Sequence, residues 1–241
     1  MNDPRQQTME NYNRHLIGLD DTFQFTCRNC GKCCKNREDL LLNSRDIFNI
    51  AAVLGLTTKE AIEKYCETYV GDTSRMPLLR LLPVGKSKTC PLLAGSKCSV
   101  HSLKPTVCAL FPLGRVVADS EEKNGGATAP GTQGEVQYVL SPATCGSAKK
   151  KITVRAWLEM YNISTNDVFF IQWNQNIFAL SYAVKELEKK AGGFARAMDM
   201  LWGSMYAALY VMYDTKKEFL PQYEDNMKKI RKALVNIRAM L

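Results

Sequence analysis

Residues 27–34 read CRNCGKCC, with four cysteines within eight residues. Such a segment can be a disulfide staple, a metal site or a reactive thiol centre. The two residues that separate Cys27 from Cys30, and Cys30 from Cys33, let a tight turn bring sulfurs onto one ion or cluster. Gly31 follows Cys30, and we expect it to adopt a positive φ and to turn a backbone N–H towards a sulfur. The segment therefore favours a metal site.

A disulfide staple is the weakest of the three interpretations. The N-terminal sequence MNDPRQQTMENYN has no apolar core of a signal peptide, and the longest apolar stretch, from Met200, has about 14 residues where a bilayer needs ~20. We therefore expect a cytoplasmic protein without a transmembrane segment, in a compartment that keeps thiols reduced. The nine cysteines cannot all pair. Adjacent Cys33 and Cys34 lie ~3.8 Å apart at Cα, closer than the ~4.4 Å at which disulfides begin.

Composition makes nucleic acid an unlikely partner on physical grounds. The 241-residue chain is 46% hydrophobic, enough for a sizeable core, so the cysteines do not replace one. Its formal net charge of +8 counts the cysteines as neutral. Eight thiolates around two zinc ions would lower that charge to about +4. The sequence also has no basic–aromatic platform and no recognised nucleic-acid module, so we do not expect nucleic-acid binding.

The distribution of cysteines and prolines divides the chain into three regions. We predict a mainly α protein with a compact cysteine-rich metal-binding domain that carries a short β-hairpin, followed by a helical C-terminal region. The predicted regions are a polar lead-in, the cysteine-cluster domain and the helical region, at residues 1–24, 25–148 and 149–241. The hairpin strands are predicted at Arg115–Ala118 and Glu135–Leu140, on either side of a Gly-rich loop that we expect to be mobile.

Capping signals define two helices in the middle region. Asn43 or Ser44 can cap the first helix, and Gly55 stands just past its end. Thr57 and Glu60 form the capping box of the second helix.

Two further residues with ligand chemistry are expected to lie outside the metal site. Cys66 falls inside the second helix, predicted to run to about Val70, and is expected to be a small half-buried side chain. His101 follows Cys98 with the spacing of a zinc pair, but a packing or hydrogen-bonding role is favoured for it.

The C-terminal region is periodic. One apolar stripe is formed by Met227, Ile230, Leu234, Ile237 and Leu241. The other side of that helix is basic, which could suit a membrane surface or nucleic acid, but a packed helix with a solvated basic face is favoured. The Met-rich and aromatic run at 194–213 is expected to be core.

The later cysteines complete the metal site. Cys90, followed by proline, Cys98, Cys108 and Cys145 bring the total to eight, enough for two four-thiolate sites or for one site and a thiol-rich neighbour. The neighbours Cys33 and Cys34 have diverging side chains, so we expect one at each of two centres, or one ligand and one free thiolate. The spacing C-x2-C-x2-C is similar to the start of bacterial ferredoxin ligation, which places iron–sulfur slightly ahead of zinc.

Three blocks in order, FTCRNCGKCC, CPLL and CSVHSLKPTVCALFP, resemble the zinc- or iron-chelating CxxCxxCC proteins. The resemblance covers roughly residues 23–145. It implies that the cluster ligands are Cys27, Cys30, Cys33, Cys34, Cys90, Cys98, Cys108 and Cys145.

That family includes flagellin lysine N-methylases, so the resemblance implies an iron–sulfur protein, with a 4Fe–4S cluster the favoured type, in redox chemistry or in methyl transfer from S-adenosylmethionine to a protein substrate. Cys27, Cys30 and Cys33 would then anchor the cluster. One alternative is a structural zinc protein with a helical interaction surface. Another is a thiol-based metal or redox sensor that uses Cys34.

Overall fold

The helices make up about half of the protein. The computed structural model of the chain describes residues 15–38, 40–119, 134–143, 145–190 and 195–240. It is 48% helical, with seven helices and small sheets, which agrees with the predicted mainly α class. The helices are α1 (Ser44–Leu54), α2 (Thr58–Tyr65), α3 (Thr106–Leu110), α4 (Val154–Met160), α5 (Val168–Lys190), α6 (Ala195–Tyr206) and α7 (Phe219–Met240).

The described ranges also contain more strand than the single predicted hairpin. The strands form four small antiparallel sheets, in the orders β1-β9-β8, β10-β2, β3-β5-β4 and β6-β7. They are β1 (Leu16–Ile17), β2 (Thr22–Thr26), β3 (Leu41–Leu42), β4 (Cys66–Val70), β5 (Pro77–Leu81), β6 (Leu93–Ala94), β7 (Lys97–Cys98), β8 (Leu113–Asp119), β9 (Gly134–Leu140) and β10 (Ser147–Thr153). The predicted hairpin is confirmed as β8 and β9. Strands β1, β3, β6 and β7 have two residues each, too few to show a periodicity, and the longer strands β2, β4, β5 and β10 were also missed.

Both predicted helix starts are confirmed. The Asn43 side chain accepts the Asp46 N–H at 2.9 Å, and Asp46 bonds back to the Asn43 N–H. Gly55 ends α1 in the left-handed conformation. Thr57 and Glu60 make the predicted capping box of α2. These contacts lie within a few residues of one another, which is why the sequence alone reveals them.

The predicted extent of the second helix was wrong. Helix α2 ends at Tyr65, and Cys66 is its C-cap and the first residue of β4. Strand β4 pairs with β5 from Cys66 opposite Leu81 to Val70 opposite Pro77. The segment CETYV ends in the β-branched and aromatic residues that favour strands, and the backbone bonds to β5 override the helical continuation.

The chain separates into two compact units. The first unit comprises residues 1–32 and 106–175, and the second unit comprises residues 33–105 and 176–241. This division reflects which residues contact one another, whereas the predicted boundaries at residues 24 and 148 reflect composition and expected function. The predicted boundaries therefore stay predictions.

The first unit has its own aromatic core between β-strands and α4. Its buried members are Phe23, Phe25, Leu110, Leu113, Tyr138, Val154, Trp157 and Leu158. The indole N–H of Trp157 donates to the Leu110 carbonyl at 3.1 Å, so α4 and the end of α3 are joined inside this core.

The second unit packs α1, α2, α6 and α7 with the β3-β5-β4 sheet. A π-helical turn, Ala207–Val211, follows α6. The buried hydroxyls of Ser44 and Thr58, at the starts of α1 and α2, donate to the Leu209 and Val211 carbonyls at 2.5 and 2.6 Å. Two carbonyls of the π-helical turn therefore accept hydrogen bonds from the first residues of α1 and α2.

The C-terminal predictions are confirmed in part; Leu234 of the predicted stripe is only half-buried, and Leu241 lies outside the described residues. Residues 149–153, predicted as part of a helical region, belong to β10. In α7 the stripe residues Met227, Ile230 and Ile237 are buried. The run from 194 to 213 is core only in part: its buried residues are Met198, Leu201, Met205, Ala208, Leu209, Tyr210 and Tyr213, while Met200 and Met212 are exposed. Residues 120–133 of the predicted mobile loop lie outside the described residues. None of the helices in the described ranges is long and apolar enough to cross a bilayer.

Candidate metal centre

The first cysteine follows β2 in a knuckle conformation. The backbone N–H of Asn29 donates to the Sγ of Cys27 at 3.5 Å. Asn29 and Gly31 have φ of 51° and 67°, so the positive φ expected of Gly31 is confirmed. Hydrogen bonds to ligand sulfurs are a regular feature of metal–thiolate sites. Cys27 and Cys30 are both exposed and accessible to an ion.

Strand pairing brings Cys145 to the same end of the first unit as Cys27. Thr26 is the register partner of Ser147 in the β2–β10 pair. Cys27 therefore continues β2 beyond the pair, while Cys145 lies two residues before Ser147 on the opposite strand. Cys145 also packs against the core of the first unit.

Cys108 approaches the same core from α3. The helix begins at Thr106, directly after Pro105, as expected for a proline that sets the turn before the cysteine. Leu110, in the same short helix, is a buried member of the core against which Cys145 packs. The first unit thus contains four cysteines, Cys27, Cys30, Cys108 and Cys145.

Backbone hydrogen bonds gather three of the remaining cysteines in the second unit. The Cys90 N–H donates to the Cys34 carbonyl at 2.7 Å. The Leu93 N–H donates to the Cys90 carbonyl at 3.1 Å, which closes a turn over the Cys-Pro step. Leu93 is also the register partner of Cys98 in the β6–β7 pair. Cys34, Cys90 and Cys98 are therefore joined by successive main-chain contacts.

Cys66 also lies near Cys90, although the sequence predicts it inside a helix and outside the metal site. Cys66 and Cys90 are the two buried cysteines. Burial, with a smaller contribution from the charge of Cys90, raises the pKa of Cys66 to about 12. Burial also raises the pKa of Cys90, and the charges of Cys98 and Cys33 add to that rise. These thiols therefore stay protonated at neutral pH, and a bound cation would favour their thiolate forms.

The donor chemistry fits a thiophilic metal, but the sulfurs are not assembled. All nine cysteines are outside disulfides. Within the described ranges, no three side chains of His, Cys, Asp or Glu are arranged to hold an ion. Because metal binding requires deprotonated ligands and often completes the fold, the ion itself would draw the thiolates together. His101 is exposed on a 3-10 turn, His101–Leu103.

Sequence reasoning missed two residues of this site. Asn29 was passed over because Asn is not a metal ligand, although its tolerance of positive φ is a signal that could have identified it as the N–H donor. Cys66 was assigned to a helix, and only the pairing of β4 with β5 moves it beside the other thiols.

The comparisons agree with this chemistry. The family model CxxCxxCC, described as a putative zinc- or iron-chelating domain, matches residues 26–154. This match spans more than half of the chain and every cluster cysteine named above. No curated protein and no solved structure matches the chain significantly. The chain is therefore a member of the CxxCxxCC family of zinc- or iron-chelating domains.

Proposed function

We propose that the chain is an iron–sulfur protein whose cluster is held by the cysteines of the CRNCGKCC segment and the later blocks. The observation that carries this proposal is the N–H···S bond from Asn29 to Cys27 beside Gly31 in positive φ. Hydrogen bonds to ligand sulfurs are one of the ways in which a protein sets the reduction potential of a cluster. The C-x2-C-x2-C spacing supports the same assignment.

The ligands of this proposal are Cys27, Cys30 and Cys33 with a fourth thiolate from Cys34, Cys90, Cys98, Cys108 or Cys145. A bound cluster would supply one-electron redox chemistry. Cys27 and Cys30 are exposed and therefore accessible to a partner, whereas Cys90 is buried. The cytoplasm is the proposed location because it keeps the thiols reduced.

The experiment is anaerobic purification, followed by a visible spectrum and assays of iron, sulfide and zinc per chain. Brown protein with absorbance near ~400 nm and matched iron and sulfide is expected. Colourless protein with about two zinc ions and no sulfide would reject the cluster and support zinc. Protein without either metal, which also fails to take up added iron and sulfide or zinc, would reject metal binding itself.

A structural zinc protein with a helical interaction surface is the second candidate, and a groove in the second unit is the observation that supports such a surface. The groove between α5 and α7 has a volume of about 400 Å³ and is lined by Leu187, Leu234 and the exposed Tyr182 and Val235. Lys190, Arg238 and Glu186 also line this groove. Glu186 forms an ion pair with Lys189.

That groove is proposed to receive an acidic amphipathic helix of a protein partner. Apolar anchors would enter the groove, and acidic residues would meet the cations at its edge. A labelled peptide built from Glu and Leu should bind the full chain, measured by fluorescence anisotropy. Tyr182→Ala and Arg238→Glu should each weaken binding, whereas Lys216→Glu, on another part of the unit, should not. Equal binding by all variants would reject the groove as the site.

Methyl transfer is a further proposal that rests on the family resemblance alone. The methyl group would pass from the sulfonium sulfur of S-adenosylmethionine to a lysine amine of a protein substrate, releasing S-adenosylhomocysteine and a proton. Titration of the anaerobic protein with S-adenosylmethionine in a calorimeter tests this step. A lack of binding heat at several temperatures would reject it without affecting the metal assignment.

A further inference from the structure

We infer that the cysteine end of the β2–β10 strand pair is a docking surface for an acidic face of a protein partner. Four exposed cations of the first unit form this surface, which we call the cationic surface: Arg28, Lys149, Lys150 and Lys151. In the chain, Arg28 lies between the exposed Cys27 and Cys30. The inference rests on the proposed function in that it names the chemistry of a partner that would reach the metal centre, while docking itself needs no metal.

An irregularity in the β2–β10 ladder creates the cationic surface. Lys151 is the register partner of Gln24, and Ser147 is the register partner of Thr26. Between these two pairs, β2 has the single residue Phe25, whereas β10 has three residues. Two additional residues of β10 are therefore accommodated in a bulge of the ladder, at the end of the strand pair that leads into the first cysteines.

The bulge turns a core-facing position into an exposed one. In a ladder that continued regularly from Lys151, Lys150 would lie opposite Phe25, which is 5% exposed, and would face the same core. Instead, the backbone of Gly146 lies against the Phe25 ring, where a Cβ would be 2.4 Å from its Cε2 atom. Residues 148–151 are all exposed. Three consecutive lysines therefore reach solvent from a strand in which alternate side chains would otherwise point inwards.

The cationic surface has no counter-charge of its own. Neither residues 22–32 nor residues 145–153 contain an Asp or a Glu. Among the described residues, the ion pairs of the first unit use other cations, and none of the four side chains of the cationic surface has a hydrogen-bond or ion-pair partner. Like charges on neighbouring residues repel one another, and an anionic partner would relieve that repulsion.

The surroundings of these cations favour a protein over a membrane or a nucleic acid. The exposed large hydrophobic side chains of the described residues all lie outside 22–32 and 145–153. The cationic surface therefore has no apolar wedge to enter a bilayer and no exposed aromatic ring on which a nucleotide base would stack. Charge complementarity by itself gives fast association and specificity more than high affinity. A transient contact with an acidic protein face fits this chemistry.

The test uses the full chain, purified without oxygen, and a fluorescent peptide of Glu, Ser and Gly. This peptide has the acidic charge but no apolar side chain that could enter the α5–α7 groove. The wild type should bind it at low ionic strength, measured by fluorescence anisotropy, and binding should weaken steeply as salt is added. A variant that combines Lys149→Gln, Lys150→Gln and Lys151→Gln should bind about eightfold more weakly, since each exposed ion pair contributes roughly a factor of two.

The matched control removes the same number of charges from α7 of the second unit. It combines Lys228→Gln, Lys229→Gln and Lys232→Gln, all at exposed positions, and should bind the peptide as the wild type does. Equal losses in the two triple variants would show an effect of net charge and would overturn the inference. Circular dichroism checks that each variant is folded.

The bulge has a test of its own. Lys150→Glu should weaken peptide binding as much as Lys149→Glu does, because both side chains are exposed. If Lys150→Glu keeps the wild-type affinity while Lys149→Glu does not, the argument from the bulge is wrong.

Two further measurements separate the alternatives. Phosphatidylserine vesicles or a single-stranded oligonucleotide that bind the wild type and not the triple variant of β10, with no binding of the peptide, would overturn the protein partner. Iron, sulfide and zinc are assayed on the same preparation. Protein that binds the peptide but neither holds nor takes up metal rejects the proposed function and leaves this inference standing, whereas protein that holds metal but does not bind the peptide rejects this inference alone.

Discussion

A buried ion pair in the first unit allows a stability prediction to be worked from the structure. Nη1 of Arg115, in β8, donates to Oδ2 of Asp167 at 2.9 Å. The two side chains are only 4% and 8% exposed. The guanidinium carbon also lies 3.8 Å from the centre of the Phe170 ring, and the other oxygen of Asp167 accepts the Phe170 N–H at the start of α5. Arg115 thus contacts both Asp167 and the Phe170 ring, and Asp167 also caps the helix.

The perturbation is Arg115→Met, which keeps an apolar side chain of similar length and removes the cation. Leaving one partner of a buried pair uncompensated costs about 3–5 kcal/mol. We expect a loss of about 4 kcal/mol in the free energy of unfolding, because Asp167 keeps its bond to the helix N-terminus. With a urea dependence of about 2 kcal/mol per molar, the unfolding midpoint should fall by roughly 2 M.

The assay is urea unfolding followed by tryptophan fluorescence and far-ultraviolet circular dichroism. Arg155→Met is the matched control, because Arg155 forms a similar pair with Asp20 in the same unit at 44% and 79% exposure. Solvent screens that pair, so its removal should barely move the midpoint. Adding Asp167→Asn to Arg115→Met should recover part of the loss, because it removes the stranded charge. If Arg115→Met is no more destabilising than Arg155→Met, the reasoning from burial is refuted.

Two further predictions concern local backbone and capping. Gly146→Ala should lower the thermal midpoint, because its φ is 82° and the new Cβ would lie 2.4 Å from Phe25. Gly203→Ala, whose new Cβ would meet nothing within 4 Å, should be neutral or stabilising, and equal effects of the two substitutions would contradict the argument. Thr57→Ala should cost about 1 kcal/mol in urea unfolding through loss of the α2 cap. The hydrogen bonds that the Thr57 backbone N–H and hydroxyl donate to Glu60 lower the pKa of Glu60 below its ordinary 4.5. The stability that ionised Glu60 adds to the folded state is therefore fully present above pH 4.5, and it is lost as the pH falls through the lowered pKa. A Glu60→Gln variant that differs from the wild type equally at pH 7 and pH 3 would refute this pH dependence.

The parts of the fold that the sequence predicted correctly are those set by neighbours along the chain. The caps at Asn43 and Thr57 and the left-handed Gly55 depend on residues within one helical turn. The positive φ of Gly31 follows from its place after Cys30 in the same way. The family-matched cysteines could also be identified from spacing, since a knuckle is a local structure.

The parts that the sequence missed are set by distant partners. The local sequence predicts a helix at Cys66. In the structure, CETYV instead pairs with β5 as a strand, and Cys66 is buried. The same dependence explains why the small sheets other than β8–β9 were not expected. A short strand, of two to seven residues here, is stable only through the strand beside it.

The sequence by itself determined that this chain is a cysteine-cluster metal binder of mainly α character, because thiol spacing and helix caps are short-range properties. Only the tertiary structure decided that CRNCGKCC is divided, with Cys27 and Cys30 in one compact unit and Cys33 and Cys34 in the other. It also placed Cys66 beside Cys90. Those outcomes depend on strand registers and backbone hydrogen bonds between segments far apart in the chain, and no local pattern records them.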